Sequence, residues 1–307
     1  MHRVCSHSKH MTPGAITYRN PNSGATTVAG EPTGLGEIAG ACGFDPGKPN
    51  PARIYDYLLG GKDHFAADRR AAQRLVSALP DAARAARANR VFLTAAVRYV
   101  ARRGISQYVD IGAGLPTSPN VHESARSVVP AARVAYVDND PVVVTHARAL
   151  LATDDFVIVV KGDTREYEAI LAGPELNALI DLSEPVCVLF VSMLHFLTAD
   201  EADAVVAAFR ERMAPGSYLV ISAGHDKNQQ VREQVQTAYG DAAVLTGRPA
   251  AEIAAYFDGF DLVPPGLVPV TEWPLEEPDV GPRPRIWPGS PAPMAASMLA
   301  GIGRKRG

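Results

Sequence analysis

Five short runs of β-branched and aromatic residues recur between residues 105 and 225, and segments of helical pattern separate them. Each run is four to six residues long, which is the length of an ordinary strand. Runs this apolar are typical of strands buried on both faces, as in a parallel sheet covered by crossover helices. The sequence therefore predicts an α/β fold with five parallel strands at 108–111, 134–137, 156–160, 186–191 and 218–222.

The segment before these runs has the spacing of helices instead. Its apolar residues recur three and four positions apart, which predicts three helices, at 51–59, 66–79 and 81–103. We expect residues 41–104 to form an N-terminal helical cap and residues 105–307 to form the main domain.

The two ends of the chain read differently from the middle. After the fifth strand we expect a helix at 249–257, strands at 260–263 and 297–303, and a proline-rich loop at 274–293 between these two strands. Residues 1–40 are rich in small and polar residues without a hydrophobic period, which predicts a disordered tail. We interpret Cys5, His7 and His10 as part of this tail rather than as metal ligands.

Composition excludes several classes of function. The chain has 30 Lys and Arg against 33 Asp and Glu, so no strong positive field attracts nucleic acid or an anionic membrane. Three cysteines are too few for a disulfide framework, and the longest apolar run is far below the roughly 20 residues of a membrane span. We expect a cytoplasmic protein without a metal, nucleic-acid or membrane partner; the sequence does not set its oligomeric state.

The stretch V-D-I-G-A-G-L-P-T at 109–117 carries the clearest chemical signal. It follows the first predicted strand, where open α/β sheets bind nucleotide-type ligands, and its glycines allow the backbone to approach a ligand closely. Ser118 and Pro119 are expected to cap and begin the next helix. Thr117 stands where a dinucleotide fingerprint has its third glycine, which argues against pyrophosphate binding. A purely structural turn remains an alternative.

Acidic residues follow the next two strands as well. Asp138 ends the second strand, where a carboxylate can accept hydrogen bonds from both ribose hydroxyls, whereas Asp140 is better explained as a helix cap. Asp163 ends the third strand, where it can accept a hydrogen bond from an adenine amine. Because parallel strands end at one edge of the sheet, these groups predict a site for an adenosine-containing ligand.

This layout resembles the class I S-adenosylmethionine-dependent methyltransferases, whose first motif is acidic-x-Gly-x-Gly. The segment P-N-P-A-R-I-Y-D-Y-L-L-G-G-K-D-H-F-A-A-D-R at 49–69 is similar to the N-terminal signature of an S-adenosyl methyltransferase family long catalogued as a domain of unknown function. The segments at 88–93, 110–117, 120–123, 137–141 and 194–196 are similar to that family too, and the resemblance covers about 44–305.

The resemblance implies a Rossmann-like sheet of order 3-2-1-4-5-7-6, with the seventh strand antiparallel. It implies S-adenosylmethionine as the cofactor, and with it we expect a methyltransferase that acts on a small-molecule acceptor. The residues expected to bind the cofactor are Asp110, Gly112, Ala113, Gly114, Asp138, Asn139, Asp163, Thr164 and Arg90. Arg90 lies in a predicted helix, where it can pair with the methionine carboxylate or be a surface charge.

An oxygen acceptor also needs a base, and His195 in the loop after the fourth strand is our candidate. The alternative for His195 is packing against Phe196. Tyr57, Lys62 and Asp63 are expected to contact the acceptor or to form a lid, with a solvated turn as the alternative.

Two other functions remain open from the sequence alone. One is a protein that binds S-adenosylmethionine without catalysis. The other is a nicotinamide-dependent oxidoreductase, which shares the sheet and the ribose carboxylate but needs a full GxGxxG turn.

Overall fold

All five predicted parallel strands form, and they pair with one another in one sheet. They are β1 (Gln107–Ile111), β2 (Arg133–Asp138), β3 (Val157–Lys161), β4 (Cys187–Val191) and β5 (Tyr218–Gly224). Three more strands follow, namely β6 (Phe260–Leu262), β7 (Val268–Pro269) and β8 (Met298–Lys305). The order is β3-β2-β1-β4-β5-β8-β6, with β8 antiparallel to both neighbours and β7 paired to β8. The strand β8 corresponds to the seventh strand of the expected order and β6 to the sixth, so the expected order is confirmed. The short β7 is an additional strand that the sequence did not predict.

The structure is a computed structural model that describes residues 44–225, 229–274 and 298–307. The predicted tail at 1–40, with Cys5, His7 and His10, and the proline-rich loop beyond Pro274 lie outside the described residues. Pro46–Gly307 pack as one compact unit, and the division into cap and main domain stays a prediction. None of the helices in the described ranges is both long and apolar enough to cross a membrane.

Ten α-helices occur in the described ranges. They are α1 (Pro51–Leu59), α2 (Ala66–Ala78), α3 (Ala82–Ala101), α4 (Val121–Arg126), α5 (Pro141–Leu150), α6 (Tyr167–Ala172), α7 (Pro174–Leu179), α8 (Ala199–Arg212), α9 (Gln229–Tyr239) and α10 (Ala250–Ala255). As expected, the Asp140 side chain caps α5 by accepting hydrogen bonds from the Val142 and Val143 amides. The predicted cap at Ser118 is wrong, because α4 begins at Val121 and Asn120 forms a capping box with Glu123.

The sheet lies between two apolar layers. Every residue of β1 is buried, because β2 and β4 flank it and helices cover both of its faces. Phe190 and Phe209 belong to the core on one face, whereas Phe92 and Tyr108 belong to the core on the other. Since the five parallel strands run in the same direction, the loops that carry the predicted site residues all leave the same edge of the sheet.

A third apolar cluster joins α1, α2, the start of α3 and the end of α9. We call these elements the cap, which differs from the predicted residues 41–104 by including α9. A buried ion pair supports it: Asp68 is 0% exposed, lies 3.5 Å from Arg53 Nε and accepts a hydrogen bond of 2.7 Å from the Phe65 amide. Asp56 accepts hydrogen bonds from the Asp63 amide at 3.0 Å and from His64 Nδ1 at 2.8 Å. The polar residues of the 49–69 signature therefore hold α1 and the start of α2 together.

Candidate functional site

The carboxyl ends of β1, β2 and β3 open into a cavity of about 450 Å³. All nine residues predicted to bind the cofactor line its wall. They are Arg90, Asp110, Gly112, Ala113, Gly114, Asp138, Asn139, Asp163 and Thr164. The structure thus brings together groups from four separate segments of the chain, although their role in binding stays a prediction.

The turn after β1 depends on two glycines in the left-handed region. Gly112 has φ 71° and Gly114 has φ 68°, where other residues are strained. A Cβ added at Gly112 would lie 2.9 Å from Met193 Cβ, whereas one at Gly114 would meet no atom of the described residues within 4 Å. The turn is therefore packed against the protein at Gly112 and open at Gly114, which lines the cavity.

The tips of β2 and β3 lie side by side. Asp138 accepts hydrogen bonds of 2.9 Å from the amides of Gly114 and Asp140, and burial raises its pKa to about 6. Asn139 Nδ2 donates to Asp163 Oδ2 at 3.1 Å. Arg165 also binds Asp163, through its amide and Nη1, each at 2.9 Å. Asp163 therefore has less free hydrogen-bonding capacity than the sequence suggests.

Asp110 differs from these carboxylates because it accepts no hydrogen bond from the residues that the structure describes. It is 5% exposed, and burial raises its pKa to about 7, with Arg90 opposing the shift and Asp138 adding to it. Arg90 Nη2 donates to the carbonyls of Thr117 at 2.6 Å and Pro119 at 2.8 Å. A buried carboxylate without a donor is costly, so Asp110 is suited to a cationic ligand group.

On another wall of the cavity, a chain of hydrogen bonds connects the cap to the strand tips. The amide of Ser192, which has φ 60°, donates to Ser222 Oγ at 3.0 Å. Ser222 Oγ donates to Asn89 Oδ1 at 2.6 Å, and Asn89 Nδ2 donates to Tyr55 Oη at 3.0 Å. Tyr55 Oη donates in turn to the Ala86 carbonyl at 3.0 Å. Tyr55, Asn89 and Ser192 line the cavity.

We expect Tyr55→Phe to lower the free energy of unfolding by about 1–3 kcal/mol, because Asn89, which is 1% exposed, then loses a buried hydrogen-bond partner. Urea denaturation measures the change. Tyr57→Phe on the same helix is the matched control, since the Tyr57 ring contacts His64 through its edge, and its effect should stay below about 0.5 kcal/mol. Equal losses in the two variants would contradict the role of the hydrogen-bond chain.

His195 does not line the cavity. Its ring is 9% exposed and packs on Phe196 with ring centroids 4.3 Å apart. His195 Nδ1 accepts a hydrogen bond of 3.3 Å from the Gly224 amide, and burial, together with Arg248, lowers the pKa of His195 to about 4. The ring is therefore neutral and inward-facing, so its position gives the predicted role of general base no support.

Tyr57, Lys62 and Asp63 do not line the cavity either. Tyr57 packs against His64, the Asp63 amide donates to Asp56, and Lys62 is exposed. Two other residues of α1, Tyr55 and Asp56, line the cavity. The predicted contact with the acceptor gains no support from these three positions.

The segment after β5 supplies a wall that the sequence did not predict. A parallel β-bridge joins His225 to Arg248, so the segment between them begins and ends beside the carboxyl end of β5. Arg248 is 1% exposed and donates to the carbonyls of Leu197 at 3.0 Å and Thr198 at 2.9 Å, which holds the loop after β4. The residues of this segment that line the cavity are Tyr239, Ala242, Ala243 and Val244.

Comparison with known proteins places this site in a family. The sequence pattern of the S-adenosyl methyltransferase family matches residues 40–306. A candidate methyltransferase from Thermobifida fusca YX is 41% identical, with a TM-score of 0.76 over 85% of this chain and 96% of that chain. A DUF574 family protein from Streptomyces avermitilis is 36% identical, with a TM-score of 0.76 over 84% of this chain and 98% of that chain.

None of the curated proteins matches this chain. The family pattern nevertheless spans most of the sequence, and the two solved structures share both the fold and a substantial part of the sequence. The chain belongs to the S-adenosyl methyltransferase family, and it is a methyltransferase that uses S-adenosylmethionine as its cofactor.

Proposed function

We propose that this enzyme transfers the methyl group of S-adenosylmethionine to a small-molecule acceptor in the cavity at the strand tips. The observation that carries the proposal is the convergence of Asp110, Asp138 and Asp163 on one cavity beside the open turn at Gly114. Its volume of about 450 Å³ lies within the range of about 300–1,000 Å³ that is usual for small-molecule sites.

The residues of the wall fit the parts of the cofactor. Asp110 has no donor among the described residues and would hold the ammonium group of the methionine part. Arg90 Nη2 binds the loop carbonyls, and the other guanidinium nitrogens are available for the methionine carboxylate. Asp138 would accept hydrogen bonds from the ribose, and Asp163 with the Thr164 amide would bind the adenine.

The bound cofactor supplies a methyl carbon that its sulfonium has already activated. The protein therefore mainly has to align the acceptor and exclude water. The cap does both, since α1 and the segment after β5 cover the strand tips. We further propose that the enzyme works in the cytoplasm without a nucleic-acid partner, in line with its net charge of −3.

Calorimetry with S-adenosylhomocysteine tests this function. We expect the protein to bind it, and Asp138→Ala to weaken binding at least about tenfold, or about 1.4 kcal/mol, because the ribose hydroxyls lose their acceptor. Asp261→Ala is the control, since Asp261 lies in β6 with its side chain 67% exposed and should leave affinity unchanged. Absence of binding at millimolar concentration would refute the function, and an unaffected Asp138→Ala would refute the role of Asp138.

A further inference from the structure

We infer that the methyl acceptor is a small aromatic molecule without negative charge, an inference that rests on the proposed function. Two features of the described wall support it, namely the balance of its charged groups and its aromatic residues.

Carboxylates outnumber cations on the wall. Among the described residues that line the cavity, the carboxylates are Asp56, Asp110, Asp138, Asp163 and Glu201, and the guanidinium groups are Arg90 and Arg165. S-Adenosylmethionine brings one net positive charge, which does not offset the excess of carboxylates over guanidinium groups. An anionic acceptor would therefore enter a site whose field repels it.

Both guanidinium groups already have partners. Arg165 Nη1 lies 2.9 Å from Asp163 Oδ2 and its Nε lies 3.7 Å from Glu201 Oε1. Arg90 binds the carbonyls of Thr117 and Pro119 and would also bind the carboxylate of the cofactor. An acceptor carboxylate would lose its water without gaining a cation from the described wall, and such desolvation is strongly unfavourable.

Three aromatic residues line the same cavity. They are Tyr55 of α1, Phe196 of the loop after β4 and Tyr239 at the end of α9. The rings of Phe196 and Tyr239 lie 5.8 Å apart at an angle of 56°, and burial raises the pKa of both tyrosines, so their phenols stay neutral. Aromatic side chains arranged this way favour a flat aromatic ligand.

Three matched phenols test the inference. Tyramine, tyrosol and 4-hydroxyphenylacetate share one ring and differ in carrying an ammonium, a hydroxyl or a carboxylate group. Each is titrated by calorimetry into protein saturated with S-adenosylhomocysteine at pH 8, which lies above the raised pKa values of Asp110 and Asp138. We expect tyramine and tyrosol to bind at least tenfold more tightly than 4-hydroxyphenylacetate. Equal or tighter binding of the carboxylate, or no binding by any of the three at millimolar concentration, would overturn the inference.

Two variants and a matched control address the source of the preference. Asp56→Asn should narrow the gap between tyramine and 4-hydroxyphenylacetate, whereas Asp63→Asn, a nearby carboxylate that does not line the cavity, should leave the gap unchanged. Glu201→Gln repeats the test with the Asp56 hydrogen bonds intact. An unchanged gap in both Asp56→Asn and Glu201→Gln counts against the inference. Failure to bind S-adenosylhomocysteine refutes the proposed function, whereas its binding without charge discrimination among the phenols refutes this inference alone.

Discussion

Asp110→Asn is expected to weaken the binding of S-adenosylhomocysteine at least about 100-fold, or about 2.8 kcal/mol. The carboxylate is 5% exposed and has no hydrogen-bond donor among the described residues, so we expect the ammonium group of the ligand to be its main partner. Asparagine keeps the size of the side chain and removes its charge. Losing one member of a charge pair that is closed from water costs about 2–5 kcal/mol, and calorimetry measures the difference.

The same substitution should stabilise the empty protein at pH 8. The pKa of Asp110 rises from an ordinary value of 3.8 to about 7 in the folded state, so the unfolded chain releases this proton first. The contribution of Asp110 to stability is therefore complete below pH 4 and is lost as the pH rises through 7. Asp110→Asn avoids this loss, so its melting temperature should exceed that of the wild type more at pH 8 than at pH 5.

The affinity of the wild type for S-adenosylhomocysteine should increase as the pH rises, whereas the contribution of Asp110 to stability decreases. Below pH 7 the empty site holds a proton on Asp110 that must leave before an ammonium group can pair with the carboxylate. We expect binding of S-adenosylhomocysteine to weaken about tenfold between pH 8 and pH 6, and Asp110→Asn to show a flatter profile. A wild-type affinity that is constant over this range would contradict the assignment of Asp110.

Gly112→Ala and Gly114→Ala should separate folding from binding. Both glycines have positive φ, so alanine costs about 1–2 kcal/mol of stability at either position. At Gly112 the new methyl group would also lie 2.9 Å from Met193 Cβ, and overpacking of this kind adds about 1–3 kcal/mol. Gly112→Ala should therefore lose more stability than Gly114→Ala, as measured by thermal or urea unfolding.

Gly114→Ala should reduce affinity more than it reduces stability. Its methyl group meets no protein atom within 4 Å, because it projects into the space that we assign to the cofactor. We expect a modest loss of stability and at least a tenfold loss of affinity for S-adenosylhomocysteine, or about 1.4 kcal/mol. Normal affinity in folded Gly114→Ala would show that the ligand does not approach this turn.

The sequence predicts most of the sheet because its signals are local. Each parallel strand is a short apolar run, and caps such as Asp140 and Thr198 bond to amides within three residues. The predicted start of α4 was wrong for a related reason. Ser118 and Asn120 are both good caps, and the hydrogen bond from the Asn120 amide to Glu123 decides between them. The short β7 has no run of its own and forms because β8 lies beside it.

The residues of the site also divide into those that sequence signals predict and those that they do not. The placement of Asp110, Asp138 and Asp163 by one cavity could be predicted because they lie at or near the carboxyl ends of consecutive strands, and topology brings strand ends together. His195 also follows a strand, but its ring turns inward to Gly224, and nothing in its sequence neighbours indicates that direction. Tyr55 lies in a segment of helical apolar pattern, and nothing in that pattern indicates that its hydroxyl binds Asn89.

The comparisons do not favour the two other functions that the sequence left open. The family match identifies a methyltransferase and gives no support to the nicotinamide oxidoreductase or the non-catalytic binding protein. The two structures at 41% and 36% identity support the same assignment.

The bridge between His225 and Arg248 has a consequence for protein engineering. Because the segment between His225 and Arg248 begins and ends at one point beside β5, we expect its exchange between relatives to leave the register of β5 unchanged. Such an exchange should change which acceptors are methylated more than it changes the affinity for S-adenosylhomocysteine.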